Sequence, residues 1–158
     1  MSSPTAPQRS LARAVLGSLL IGAASGLRSQ FGSAAVATAD RSGRQPHFYR
    51  HPGVRTAFVL AVAGEIVADK LPQAGSRLKP GPLATRVVLA AVAAGHFAHA
   101  RDRSIALAGV LGAGAALASA KVGHDVRVRL ATKVPDLAVA IGEDVLAAGM
   151  ALAAVRML

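Results

Sequence analysis

Four carboxylates in this sequence stand where carboxylates are expensive. Glu65 and Asp69 lie near the end of the apolar run VRTAFVLAVAGEIVADKL, and Glu143 and Asp144 lie inside LAVAIGEDVLAAGMALAAV. The chain has only eight acidic residues, so half of them fall in apolar segments rather than in loops. Basic groups stand nearby at Lys70, Arg77, Lys79 and Arg86. Such a set could hold an ion, a proton or a lipid head group, which is the default reading of charge within a membrane. It could equally form interhelical ion pairs that lock a bundle. Glu65 and Asp69 share a helix face by their i,i+4 spacing. Arg86 lies early in the next apolar run, across a short hairpin from Asp69, and is its expected partner. The candidate polar cluster is therefore Glu65, Asp69, Lys70, Arg77, Arg86, Glu143 and Asp144.

Other chemistry is sparsely represented. There is no cysteine, which excludes disulfides, thiolate metal sites and a thiol nucleophile. No G-x-S-x-G elbow, phosphate-binding glycine loop or loop with metal-ligand spacing occurs. His96 and His99, at i,i+3, could ligate a metal, but histidines so placed more often snorkel or bond to backbone. No catalytic residue, metal or cofactor is expected, and a non-enzymatic protein is favoured.

The elements that must position the cluster are helices. Five apolar stretches cover 11–27, 54–71, 83–100, 104–120 and 137–158. Between them, LPQAGSRLKPGP at 71–82 carries helix-ending prolines and glycines, and RDR at 101–103 is a short turn. Each stretch approaches the length a membrane helix needs, about 17–25 residues. The third and fourth are apolar round most of their circumference, whereas a surface helix of a soluble protein keeps a charged face. Residues 1–9 form a polar tail expected to be disordered, and 10–158 form one transmembrane domain. Arg9 and Arg13 followed by AVLGSLLIG also fit a secretory leader, a second reading of the same stretch. Residues 29–39 fit neither loop nor full span, and either prolong the first helix past a break or form a re-entrant piece. VGHDVRVRLATKV at 122–134 reads as an amphipathic interfacial helix with its basic face toward lipid phosphates.

Small residues recur every four positions at Ala14, Ser18, Gly22 and Gly26, and again at Ala108, Gly112, Ala116 and Ala120. Such ridges let helices approach closely in lipid, so Gly22, Gly26 and Gly112 are expected packing positions, within the chain or across a homo-oligomer. The net charge is +10. Its basic residues gather beside apolar runs, without the aromatic platforms that stack bases, so nucleic acid is not an expected partner and the lipid bilayer is. For five crossings, nine basic residues fall on the N-terminal side and seven on the other, too even to orient the chain.

Energetics constrains where the carboxylates lie. A central aspartate costs about 2.5–3.5 kcal/mol on insertion, so Glu143 and Asp144 would outweigh the roughly 3 kcal/mol that the strongly apolar residues of their helix return. They must lie off-centre, be paired, be protonated or line water. Glu65 and Glu143 each stand six residues from a helix end, at similar depth, roughly 9 Å in. LAVAGEIVA at 60–68 weakly repeats LAVAIGEDVLA at 137–147, as halves of inverted-repeat transporters do, but the carboxylates fall at different distances from their helix starts.

GAASGLRS at 22–29, GEIVADKLPQAGSRLKP at 64–80 and PDLAVAIGEDVLAAG at 135–149 resemble the bacterial membrane family called domain of unknown function 4126. The resemblance extends from the first helix to the last. It implies a small multi-span protein of the bacterial cytoplasmic membrane and implies no established activity. The expected fold is all-α: a small polytopic membrane bundle of four to five transmembrane helices plus an interfacial amphipathic helix. The expected protein is a non-enzymatic membrane protein of unknown role, with a scaffold or a small permeation unit as the candidates. The alternatives are a proton- or ion-coupled transporter using Glu65 and Glu143, and an interfacial enzyme whose Arg77, Lys79 and Arg86 hold a head-group phosphate.

Overall fold

The computed structural model describes residues 6–39, 47–68 and 80–158. Every element among them is helical: α1 (Ala6–Leu27), α2 (Phe31–Ala39), α3 (His47–Arg50), α4 (Pro52–Ala68), α5 (Pro80–His99), α6 (Ile105–Leu130) and α7 (Asp136–Val155). The helix starts follow local chemistry. Pro52 and Pro80 open α4 and α5, where a missing N–H costs nothing. Ser104 caps α6, its hydroxyl accepting from Leu107 N at 3.3 Å. Asp102 adopts φ 55° in the tight α5–α6 turn, a conformation that aspartate tolerates.

Among the described residues, four helices are long and apolar enough to cross a membrane: Ser10–Leu27 of α1, then α5, α6 and α7. The side-chain distribution supports that setting. The buried apolar positions are mostly alanine, with Ile21, Leu27, Val36, Tyr49, Phe97 and Val139 as the exceptions. The large aliphatics point outward, including Val110 at 70%, Val145 at 68% and Leu60 at 65% exposure. Water would favour the reverse arrangement. Lipid tails are as apolar as leucine, so in a bilayer the interior is chosen for close approach and the exterior for apolarity.

α1 is the central helix, with half of its membrane window buried against 22% for α6. It packs on α5, α6, α7 and α2. Its small ridge faces α6. A Cβ on Gly22 would come within 2.6 Å of Gly112 Cα, and one on Gly26 within 2.8 Å of Ala116 Cα. Gly112 in turn lies against Ala90 and Ala94 of α5. Ser119 fastens the contact by donating to Ala23 O at 2.9 Å. Ala14 meets the start of α6 and Leu27 meets Gly123, so α1 and α6 run parallel, with α5 antiparallel between their ends.

This direction corrects the five-crossing order. That order made the helices over 11–27 and 104–120 antiparallel, and it placed the end of the 54–71 helix on the N-terminal side. Instead Glu65, near the end of α4, meets Ser29 and Gln30 beyond the far end of α1. The reason lies in α2 and α3. α2 turns back against α1, with Gly32 on Ile21 and Ser25. α3 then stands beside the end of α5, where Tyr49 meets the edge of His96 at 4.6 Å and stacks on Phe58 at 5.6 Å. α4 thus runs parallel to α1. The segment at 122–130 is helical as expected, but it prolongs α6 instead of standing apart, because nothing in ALASAKVGHDVRV breaks the helix. α1 begins at Ala6, so 6–9 are helical rather than a tail.

Charge still does not orient the bundle. Among residues with described side chains, Arg13, Arg50, Arg55, Arg101, Arg103 and Arg156 lie toward one end. Arg28, Arg86, Lys121, Arg127, Arg129 and Lys133 lie toward the other.

Candidate functional site

The polar cluster is built round the break at 28–30 between α1 and α2. A helix that stops leaves carbonyls without partners at its C-terminus, and the next one leaves N–H groups without partners at its start. Away from water, both must be satisfied by protein. Arg86 of α5 reaches the first set, its Nη1 donating to Gly26 O at 2.7 Å and Leu27 O at 2.9 Å. Glu65 of α4 takes the second. Its Oε1 accepts from Ser29 N at 2.7 Å and its Oε2 from Gln30 N at 3.0 Å. Arg86 and Glu65 also face one another, Nη2 to Oε1 at 3.6 Å. The cation therefore sits on a helix C-terminus and the anion at a helix N-terminus, the polarity each helix dipole favours.

The third member stands in the break itself. Arg28 is fully buried, forms an ion pair with Asp144 of α7 and donates from Nη2 to Ala140 O at 3.4 Å. Its sequence position, two residues past Gly26 at the end of an apolar span, was visible. Its centrality was not, because spacing along the chain does not show that α7 passes the α1–α2 break. A lone arginine closing a small-residue ridge is the signal that could have singled it out.

Glu143 faces a different neighbour, Arg127 of α6, Nη1 to Oε2 at 3.8 Å. Arg127 also forks onto Asp136 at the start of α7, with Nε and Nη2 at 2.6 and 2.7 Å from the two carboxylate oxygens. The expected basic face toward lipid is thus partly turned inward. Arg127 joins α6 to α7, while Arg129 and Lys133 remain exposed.

Of the expected cluster, Glu65, Arg86, Glu143 and Asp144 gather at one end of the bundle. Glu65 and Asp144 do so through the 28–30 break rather than by direct contact. Asp69, Lys70 and Arg77, and with them the expected Asp69–Arg86 pair, lie outside the described residues, as does Lys79. His96 packs against Tyr49, and burial pushes the Tyr49 hydroxyl above the usual tyrosine range. Among the described residues no group of three or more His, Cys, Asp or Glu is placed to hold a metal.

Set beside known proteins, the chain matches the model of the family described as domain of unknown function (DUF4126) over residues 15–157. The chain belongs to that family. No curated protein matches it. No solved structure matches it.

Proposed function

We propose that this chain is a non-enzymatic multi-pass protein of the bacterial cytoplasmic membrane, a scaffold whose charged cluster is structural and holds an interrupted helix closed inside the bundle. One observation carries this reading. The helix ends that flank the break, which in a transporter would be left for a substrate or coupling ion, are occupied by the protein's own Arg86 and Glu65. Asp144 and Glu143 likewise face arginines. A proton-carrying carboxylate would be expected to lack a fixed basic partner. The enzyme alternative loses Arg86 as a phosphate ligand, because its guanidinium is turned onto α1 carbonyls. The four span-length helices and the outward aliphatics support the membrane location. The family resemblance suggests which membrane.

Three results are expected. The protein should remain in the pellet after carbonate extraction of membranes, and recovery as a folded, detergent-free soluble protein would defeat the location. Glu65→Gln should lower the detergent melting temperature, because an amide has one acceptor oxygen for the two N–H groups and no charge for Arg86. A loss of about 1.5–3 kcal/mol per charged hydrogen bond is the relevant scale. Wild-type protein in liposomes should pass neither protons nor cations. Measurable flux abolished by a well-folded Glu65→Gln or Glu143→Gln would establish transport and overturn the scaffold.

A further inference from the structure

α6 and α7 are consecutive, yet they barely touch. Between them, floored by α1, lies an apolar groove of about 460 Å³. Its walls include Leu27, Val122, Val126, Leu130, Leu146 and Met150. The geometry points to this groove as a binding site for one acyl chain of an anionic phospholipid drawn from the surrounding bilayer. The inference rests on the membrane reading above.

Three observations set the occupant. The volume lies in the range of small-molecule sites, roughly 300–1,000 Å³, and apart from Ser119 and Glu143, whose carboxylate faces Arg127, the lining is apolar, which suits a hydrocarbon chain. The groove extends along α6 from Leu130 to Ser119, about 16 Å at helical rise. Its depth relative to the bilayer follows from helix length. α6 has 26 residues and is about 39 Å long, against a hydrocarbon core of about 30 Å. The excess falls at the end carrying Arg127 and Arg129, so Leu130 and Val134 mark the mouth at head-group level. At that level Arg127 is paired with Asp136, while deeper along α6 Lys121 pairs with Asp125 at 3.1 Å. Arg129 and Lys133 stand next in sequence to Leu130 and Val134, are exposed, and make no ion pair among the described residues. Cations left at that level favour an anionic head group over a zwitterionic one.

The test uses full-length protein delipidated in neutral detergent, with dioleoyl phosphatidylglycerol or dioleoyl phosphatidylcholine added back. Phosphatidylglycerol should raise the melting temperature by about 5 °C or more at roughly hundred-fold excess over its Kd. It should saturate near one lipid per chain by native mass spectrometry, and phosphatidylcholine should do much less. Two variants locate the site. A Cβ on Gly142, in the groove wall, meets nothing within 4 Å, so Gly142→Leu should not lower the lipid-free melt and should abolish the shift. Arg129→Gln with Lys133→Gln, both on the surface, should remove the preference for phosphatidylglycerol. The assignment is overturned by a shift that survives Gly142→Leu or by equal responses to the two lipids. It is also overturned by a wild-type dimer that Gly142→Leu dissociates, which would give the groove to a second copy. Failure of carbonate resistance would instead remove the membrane reading itself, so the two failures can be told apart.

Discussion

Arg28→Gln is expected to be among the most damaging single substitutions in this chain. The guanidinium is fully buried, and removing it takes the ion-pair partner from Asp144 and the side-chain donor from Ala140 O. Breaking one side of a buried pair costs about 3–5 kcal/mol. Asp144 keeps a little solvent contact, at 16% of its side chain, which places the cost toward the lower end. Asp144→Asn alone should be damaging for the mirror-image reason. Combining Arg28→Gln with Asp144→Asn removes both charges and should recover much of the loss, though not the bond to Ala140. Melting temperatures of the two singles and the double in detergent form a double-mutant cycle. Additive losses would mean that the pair is not energetically coupled, and would take away the structural role assigned to it.

The second large effect is expected at Gly22. A methyl group there would overlap the Gly112 backbone, which cannot rotate aside as a side chain could. Gly22→Ala should therefore destabilise although alanine is the better helix former. Overpacking of this kind costs about 1–3 kcal/mol, and the larger Gly22→Leu should cost more or prevent folding. Gly114 and Gly149 supply the controls, since a Cβ at either meets nothing within 4 Å. Alanine at those positions should be neutral or should stabilise by roughly 0.5–1 kcal/mol through helix propensity. The reading of melting temperature and elution volume is direct. If Gly22→Ala melts with the Gly114→Ala control, the α1–α6 approach is looser than its geometry indicates.

The amino-acid sequence by itself determined the class of this protein and most of its helices. Apolar runs near span length, proline and glycine separators, and a scarcity of charge are local properties, and a helix satisfies its backbone locally, so no third dimension is needed to read them. The small-residue periodicity at Gly22, Gly26 and Gly112 was equally legible, because i,i+4 spacing fixes which residues share a face. Spacing also placed Glu65 and Glu143 near helix ends, and composition made their charges costly.

The partners of those charges were decided by the tertiary structure. Glu65 meets the N–H groups of residues 29 and 30, Arg28 meets Asp144, and Arg127 meets Glu143 and Asp136, pairings that depend on which helices lie side by side. The direction of α4 was decided there as well. FGSAAVATA is too short to be recognised as a crossing and too apolar to be a loop, so the return of the chain beside α1 depends on contacts with α1, α5 and α7. Once that piece turns back, α4 reverses, and the carboxylate that sequence assigned to one end of the bundle arrives at the other. The physical reason is that helices are specified by neighbours along the chain. Which helix ends meet, and which charges must neutralise them, is specified by packing between segments far apart in sequence.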